Sequence, residues 1–482
     1  MTRRRKLLAA ARSLAETAAF LVCDLMAIWL VVRLSILIRL KVLPGLYAGF
    51  PADVTVPELN VYLIFMAWFF FIFYEGLYTK RFSFWDEVFA ILKACLYATV
   101  GVFVIGSLGK MNLEISRPVV VLAGLLSVFI LPVVRLSLKA ALRRAGLFNR
   151  RVLILGAGET GRIIASALSE ESNYGYETVG FLDDDPEKIG TMIGGIKVHR
   201  GVDLAARYAD RCGVTDVFVA MPGAGKERMR SVVNMLQHRV DRLFVVPDIF
   251  GMAVTGTRLM HFFRAQAFAF EMKNNLADPV NNIVKRLSDL LACVLLVPLL
   301  LLPMALISVL IRMGSGGPAI LRQERIGRHG RRFRCLKFRT MYEDADRRLE
   351  DILASDPVAR QEWETFWKLK HDPRITPIGR VLRNTSLDEF PQIFNVLMGQ
   401  MSLVGPRPYL PREWDALNDF SETILGVRPG ITGLWQVSGR SETSVDVRLS
   451  LDAWYVRNWN LWLDLVILFK TFSIVLKGSG AR

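Results

Sequence analysis

Four long apolar stretches dominate the first third of this chain, at about residues 14–38, 59–78, 88–108 and 118–138. Each is close to the ~20 residues that an α-helix needs to cross a hydrocarbon layer of ~30 Å. Backbone in such a layer must satisfy its polar groups internally, which favours helices. We therefore predict a four-helix transmembrane domain over residues 1–145.

Basic residues are unevenly distributed around these stretches. They cluster at residues 3–12, at Lys80 and Arg81, and again just after the fourth stretch, whereas the alternate loops carry fewer. Because positive residues stay on the cytoplasmic side, both ends of the domain are predicted to be cytoplasmic. Trp68 and the phenylalanines that follow it are predicted to face lipid.

The overall composition narrows the class of protein. The 482 residues include 61 Lys+Arg against 45 Asp+Glu, a formal charge of +16, with 52% hydrophobic residues. This excludes a disordered chain and an ordinary soluble enzyme. The positive charge predicts an anionic partner, for which lipid headgroups, nucleotide-sugars and nucleic acid are alternatives. No nucleic-acid-binding motif is present, and the scattered Cys and His residues favour no zinc site.

A Gly-rich motif follows the transmembrane domain. Residues 152–155 are an apolar strand-like run, followed by Gly156, Gly158 and Gly161 in a GxGxxG pattern and then by a helical run. Such glycines let a pyrophosphate approach a helix N-terminus, and Asp183 ends the next apolar run, where a ribose could be held. The alternative is a tight turn beside a solvated acidic loop. We predict a Rossmann-like α/β domain over 150–250 with a candidate nucleotide site, and further strands at 216–220 and 242–247.

A fifth apolar stretch, at residues 290–311, has a different character. It contains Pro298 and Pro303 and has basic residues on both flanks. A spanning helix would place one basic flank outside, against the charge rule. We therefore predict a re-entrant helix over 285–312 that is broken at one of the prolines and returns to the cytoplasmic face. A fifth spanning helix is the alternative.

The remaining region is rich in Arg, Gly and Pro, which suits the binding of phosphate oxygens. Asp388 and Glu389 are adjacent within it, near Arg380, Arg383 and Arg407. A carboxylate kept ionised by nearby cations can hold Mg²⁺ or attack phosphorus. The alternative is a capping box from Ser386 to Glu389 at the start of a helix. A basic face that only attracts lipid is a further alternative.

Many ordered motifs in this region resemble those of one family, the bacterial sugar transferases, or monotopic polyprenyl-phosphate phosphoglycosyl transferases. They are Lys285-Arg286, the proline-containing apolar stretch, Gly316-Gly317-Pro318, Gln323–Gly327, Lys337–Met341, Thr385–Gln392, Phe394–Leu397, Met401–Pro408 and Pro429–Gln436. The complete layout is similar to the long members, undecaprenyl-phosphate galactose phosphotransferases. One difference is that Leu302 precedes Pro303, where members often have serine.

The resemblance implies a two-step transfer of hexose 1-phosphate, by preference galactose 1-phosphate, from a UDP-hexose to undecaprenyl phosphate. It implies that Asp388 attacks the β-phosphate and UMP leaves, while Glu389 helps to hold Mg²⁺. Lys337, Arg383 and Arg407 match positions that stabilise phosphoryl charge. Arg339 and Arg440 are further substrate-binding candidates.

The expected fold is therefore a mixed membrane protein: a four-helix transmembrane bundle, a Rossmann-like α/β domain, a linker or dimerisation segment at 251–280, and an α-rich monotopic catalytic domain at 281–482. The expected setting is the bacterial inner membrane, with both soluble parts cytoplasmic and the chain a homodimer. The product would start O-antigen, capsule or exopolysaccharide synthesis. A glucose-1-phosphate transferase and an inactive nucleotide-sensing scaffold are the alternatives.

Overall fold

The computed structural model describes residues 3–47, 49–50, 58–108, 116–249, 251–252, 255–262, 267–366, 369, 372–438 and 444–477. The chain forms two compact units, Met1–Asp248 and Ile249–Arg482. Each unit is described by itself below.

The first unit begins with apolar helices. They are α1 (Arg3–Leu37), the short α2 (Leu43–Leu46), α3 (Glu58–Tyr74), α4 (Phe84–Leu108) and α5 (Arg117–Arg144). In the part of the chain that the structure describes, four helices are long and apolar enough to cross a membrane: Leu14–Leu46, Phe84–Leu108, Arg117–Arg144 and Pro279–Ser315. The apolar part of α3, Val61–Tyr74, is shorter. Three of the four predicted membrane helices are thus long enough to span, the one within α3 is shorter, and the fifth apolar stretch is long enough as well.

The core of the helical part contains a large aromatic residue and an ion network. Trp68 is 0% exposed and donates from its indole N–H to Ser127 Oγ at 2.9 Å, so the expectation that it faces lipid is wrong. Arg135 donates from Nε to Asp24 at 3.0 Å, and Lys139 pairs with Glu87 at 2.7 Å. Charged groups inside an apolar bundle must be paired in this way.

The α/β part of the first unit is a six-stranded sheet in the order β3-β4-β2-β1-β5-β6. β4, β2, β1, β5 and β6 are parallel, and β3 is an antiparallel edge strand. The strands are β1 (Arg150–Leu155), β2 (Tyr176–Asp183), β3 (Met192–Ile193), β4 (Ile196–Arg200), β5 (Asp216–Val219) and β6 (Arg242–Val245), and the helices are α6 (Glu159–Glu170), α7 (Ala205–Cys212) and α8 (Lys226–Leu236). The predicted α/β domain is confirmed, including the strands near 216 and 242.

The second unit starts with a two-stranded hairpin and a long helix. The hairpin consists of β7 (Arg258–Phe262) and β8 (Ala267–Glu271), and the helix is α9 (Pro279–Ser315). Asp278 caps α9 by accepting from Val280 N at 2.8 Å. Pro298 and Pro303 both lie inside this one helix, which continues across both prolines, and the predicted re-entrant path stays a prediction.

Three of the remaining elements, Pro377–Thr385, Gln392–Leu397 and Ser402–Val404, contact α9. An antiparallel pair, β9 (Ile320–Ile326) and β10 (Arg332–Phe338), is followed by short helices and a second small sheet. They are α10 (Ala345–Ser355), α11 (Pro357–Phe366), α12 (Pro377–Thr385), α13 (Gln392–Leu397), β11 (Ser402–Val404), α14 (Ser421–Leu425), β12 (Gly430–Thr432), α15 (Leu434–Val437), α16 (Val445–Asn458) and α17 (Leu461–Lys477).

A buried ion network anchors the first turns of α9 in this unit. Lys285 Nζ lies 2.9 Å from both Asp289 Oδ1 and Asp464 Oδ2. The second oxygen of Asp289 accepts from Ser402 Oγ at 2.7 Å, and Tyr455 donates to Asp464 at 2.7 Å. Because each buried charge has a partner, the start of α9 is fixed to β11 and α17.

Candidate active site

A tight turn between two helices carries the adjacent carboxylates. α12 begins with Pro377, and Thr376 Oγ1 caps it by accepting from Gly379 N at 2.9 Å. It ends at Thr385, and after Ser386 the residues Leu387–Glu389 form a single 3₁₀ turn before α13. The side chain of Ser386 makes no capping hydrogen bond, so the capping-box alternative is wrong. Asp388 and Glu389 therefore belong to a turn rather than to the first turn of a long helix.

The backbone at Ser386 is strained. Its φ of 55° makes it one of two non-glycine residues with positive φ in the described ranges, together with His329. A left-handed residue with a side chain is costly, and such residues persist where the surrounding structure forces them. The turn that carries Asp388 is thus set at a fixed angle to α12.

Two cations lie beside the carboxylates. Lys337, near the end of β10, donates to Glu389 Oε1 at 2.7 Å. Arg383, in the last turn of α12, donates from Nε to Thr340 Oγ1 at 2.9 Å. The positive charges of both residues act on Asp388. The structure therefore brings together four of the predicted site residues.

The ionisation of Asp388 is governed first by burial. Loss of solvent is the largest of the effects that together raise its pKa from 3.8 to about 6. The charge of Lys337 opposes the rise, Glu389 adds to it, and Arg383 also opposes it. The sequence predicts a carboxylate kept ionised by nearby cations, and burial opposes that effect here. The carboxylate is still mostly ionised at neutral pH, and its incomplete solvation leaves it reactive.

Arg407 is held by its backbone and by an aromatic ring. Its N–H donates to Asp452 Oδ2 at 3.2 Å, and its guanidinium carbon lies 5.8 Å from the centre of the Trp435 ring. Arg325 links this region to the carboxylates, because the charges of both Arg407 and Glu389 act on it. Arg325 belongs to the Gln323–Gly327 motif but was not among the predicted site residues.

Arg339 occupies a different position. It is 7% exposed, and its Nη2 donates to Ser315 Oγ at 3.1 Å, at the end of α9. Across the described residues, no hydrogen bond or ion pair joins it to Asp388 or Glu389. Arg440 lies outside the described residues.

A buried aspartate supports Arg407 and was missed from the sequence. Asp452 is 1% exposed and accepts from the Tyr409 hydroxyl at 2.8 Å as well as from the amide of Arg407. Burial raises its pKa to about 7. Nothing near Asp452 in the chain indicated this role, which depends on the fold that buries it.

Asp388 and Glu389 by themselves supply only some of the ligands that a magnesium ion needs. Across the described part of the chain, no group of three or more His, Cys, Asp or Glu side chains could hold a metal ion. Mg²⁺ is often held by one or two carboxylates together with substrate phosphates and water. The pair Asp388 and Glu389 fits that pattern.

The Gly-rich loop of the first unit forms a close strand-to-helix turn. Gly156 has φ +99°, and a Cβ on Gly161 would lie 2.0 Å from Gly156 O, whereas the space beside Gly158 is open. Asp183 accepts from the amides of Ala157 at 2.7 Å and of Asp185 at 2.9 Å. Asp183 therefore already binds backbone on both oxygens, and a nucleotide at this loop stays a prediction.

Comparisons with known proteins agree with this division of the chain. Residues 280–478 match the bacterial sugar transferase family, and residues 73–247 match a CoA-binding domain family. The second match begins before the α/β sheet and includes α4 and α5. Apolar helices joined to a transferase unit define a membrane-bound transferase.

Comparison with individual proteins is more specific than the family match. It is 37% identical over 405 residues to a UDP-galactose-lipid carrier transferase of Erwinia amylovora, and 36% identical over 405 residues to an undecaprenyl-phosphate galactose phosphotransferase of Salmonella typhimurium, with 84% of each chain covered in both cases. A glucose-1-phosphate transferase of Escherichia coli is 29% identical over 347 residues, with 70% of this chain and 69% of that one covered. The chain belongs to the bacterial sugar transferase family.

Proposed function

We propose that this enzyme transfers galactose 1-phosphate from a UDP-sugar to undecaprenyl phosphate, giving undecaprenyl-diphospho-galactose and UMP. The observation that carries the proposal is the partly buried Asp388 on a strained turn, with Lys337 and Arg383 beside it. The likeness over most of the chain to two galactose transferases supports the sugar. The product would be the first lipid-linked sugar of an O-antigen, capsule or exopolysaccharide.

The transfer takes place in two displacements at phosphorus. The Asp388 carboxylate attacks the β-phosphorus of the UDP-sugar, and UMP leaves with the electrons of the broken P–O bond. An oxygen of undecaprenyl phosphate then attacks the same phosphorus, and Asp388 leaves as a carboxylate. A covalent intermediate lets one site serve a soluble donor and a membrane-bound acceptor in turn.

The surrounding cations stabilise charge on the transferring group. Lys337, Arg383 and Arg407 carry this role in the proposal, because phosphoryl transfer depends mainly on positioning and on electrostatic stabilisation. Thr340 fixes the direction of Arg383 through its hydroxyl. Glu389 would hold Mg²⁺, which neutralises diphosphate charge when it is bound.

The course of α9 supports a helix that enters the membrane and returns to one face. A straight helix of 37 residues would be about 55 Å long, well beyond a ~30 Å hydrocarbon layer. Arg286 near its start donates to Val396 O at 2.7 Å, and Ser315 at its end accepts from Arg339. Leu299 and Leu302 between these ends are 71% and 80% exposed.

Both ends of α9 therefore contact one folded body, whereas its middle presents leucines outward. We take the helix as re-entrant from the cytoplasmic side of the bacterial inner membrane. Cysteine labelling of Leu302→Cys in intact cells tests this, with Val358→Cys on α11 as an exposed control. An externally applied, membrane-impermeant maleimide should label neither residue. Labelling of Val358→Cys would show a spanning helix, because a spanning α9 would place the region that follows it outside.

A homodimer is the remaining part of the proposal. The hairpin β7–β8 is a sheet of only two strands, and isolated two-stranded sheets are marginally stable. Leu259 and Met260 on it are 47% and 50% exposed, which suits a second copy as partner. Mass measurement in native-lipid particles tests it: a dimer is expected, and a dimer that persists in L259E/M260E would exclude this hairpin as the contact.

UMP release by the purified full chain tests the main proposal. With Mg²⁺ and undecaprenyl phosphate, release is expected from UDP-galactose, and to a lesser extent or not at all from UDP-glucose. D388N should abolish release, whereas D351N, which changes an exposed aspartate on α10, should not. Faster release from UDP-glucose would overturn the sugar assignment. No release from any UDP-sugar would favour a scaffold.

A further inference from the structure

A charged cavity lies within the first unit, whereas the proposed catalytic carboxylates belong to the second. Its volume is about 290 Å³, and it is lined by residues of α1, α4 and α5, the 77–81 loop and the start of the α/β part. Arg150 and Arg242, the first residues of the parallel strands β1 and β6, contribute to its wall. The cavity is therefore at the amino-terminal edge of the sheet, opposite the edge that carries the Gly-rich loop.

Positive charge predominates in the lining. Five basic side chains and only two carboxylates line the cavity: Lys80, Arg81, Lys139, Arg150 and Arg242 against Glu16 and Glu87. Each carboxylate is already paired. Glu16 lies 3.0 Å from Arg81, and Glu87 lies 2.7 Å from Lys139. The lining thus has an excess of cations over carboxylates.

Lys80 and Arg242 lie outside these pairs. Arg242 donates to the neutral carbonyl of Thr79 at 3.3 Å, and within the described ranges neither it nor Lys80 has an ion pair within 4.0 Å. Arg150 lies 4.0 Å from Asp216, which is buried next to it. Counting that carboxylate as well, two positive charges are left without an opposite charge.

Arg81, one of these basic residues, is held in place by several contacts. It donates to the carbonyls of Tyr174 at 2.7 Å and Phe148 at 3.1 Å, and it stacks on the Phe148 ring at 4.4 Å. Burial is the main cause that lowers its pKa to about 10; Glu16 opposes this lowering and Arg150 adds to it, so Arg81 is still charged at neutral pH. Like charges held together at a partly buried site repel one another unless an anion lies between them.

We propose that this cavity binds the phosphate group of an anionic ligand. Planar guanidinium groups and a lysine are the donors that phosphate oxygens prefer. The volume is at the lower end of the range for small-ligand sites, which suits a headgroup or a small phosphate compound. The phosphate could belong to an anionic lipid, since membrane helices form one wall, or to a soluble diphosphate.

The test uses the full chain in lipid nanodiscs with two probes. Inorganic pyrophosphate is titrated calorimetrically into discs of phosphatidylcholine. Retained phosphatidylglycerol is counted by native mass spectrometry after reconstitution in mixed discs. The variants are R150Q/R242Q, the charge-conserving R150K/R242K, and R211Q, which removes an exposed arginine outside the cavity. Pyrophosphate binding by the catalytic unit is common to all variants, so differences report the cavity.

R150Q/R242Q should lose at least about tenfold in affinity for one probe, because each lost charged hydrogen bond costs about one such factor. R150K/R242K should stay much closer to wild type, and R211Q should equal it. Loss confined to pyrophosphate identifies a soluble ligand, and loss confined to phosphatidylglycerol identifies a lipid. Equal binding of both probes by wild type and R150Q/R242Q would overturn the proposal.

Transferase activity and thermal denaturation of each variant report folding. If R150Q/R242Q does not fold, K80Q replaces it, because Lys80 is exposed and its removal leaves no buried partner. K80Q should weaken binding of the same probe severalfold. Unchanged binding by K80Q would also count against the cavity.

Discussion

The charge of Asp388 should control the pH dependence of the first displacement. Its pKa of about 6 means that about half of the carboxylate is ionised at pH 6, about nine tenths at pH 7 and about one tenth at pH 5. Because only the ionised form attacks phosphorus, the rate should fall tenfold per pH unit below that point. Replacing Lys337 by Met removes a charge that lowers this pKa, so the acid limb should move to higher pH.

Single-turnover release of UMP, without acceptor, is the appropriate assay. Undecaprenyl phosphate has a phosphate monoester that titrates near pH 6, and its absence leaves the titration of the enzyme visible. K337R keeps the positive charge and should leave the limb in place. E389Q removes a charge that raises the pKa, so it should move the limb to lower pH.

The position of the limb, rather than the size of the rate, is the test. A wild-type limb near pH 4, the ordinary range of an aspartate, would show that burial does not control this group. A limb that stays in place or moves to lower pH in K337M would refute the role of Lys337 in stabilising the charged form.

Further changes test the same site. D388N should raise the melting temperature at pH 8 but not at pH 4. The reason is that a folded-state pKa raised from 3.8 to about 6 makes the ionised carboxylate cost up to about 3 kcal/mol of stability above pH 6. Equal melting shifts at both pH values would contradict this. T340V should lower kcat/KM about fivefold by freeing Arg383, whereas T340S should restore it, and kinetics of both variants decide the matter. Y409F should reduce the free energy of unfolding by about 1–3 kcal/mol, since Asp452 then keeps only the amide of Arg407 as donor, and denaturant titration measures the loss.

Much of the architecture could be predicted because it depends on local patterns. The apolar stretches predict helices by length and composition, and the runs near 152, 216 and 242 predict strands that the structure confirms. The Gly-rich turn was also predictable from its local motif. The structure explains the third glycine of that motif, because a Cβ on Gly161 would lie 2.0 Å from Gly156 O.

Features that depend on distant pairing could not be predicted. Trp68 lies in a helix that is apolar on every face, so periodicity does not distinguish the side facing lipid from the side facing the bundle. Arg135 and Asp24 are 111 residues apart and meet only in the folded bundle. At the active site, the adjacent acids and their basic neighbours were visible in the sequence, but the raised pKa of Asp388 depends on how deeply the fold buries it.

The left-handed turn at Ser386 has a consequence for how this enzyme would respond to selection for heat resistance. Serine with φ 55° stores about 1–3 kcal/mol of strain, which glycine would release at a cost of only about 0.5–1 kcal/mol in added freedom of the unfolded chain. Screening for thermal survival alone should therefore enrich S386G. The freer turn would hold the nucleophile less firmly, so the same population should lose turnover. Retention of serine would indicate selection for rate at the expense of robustness.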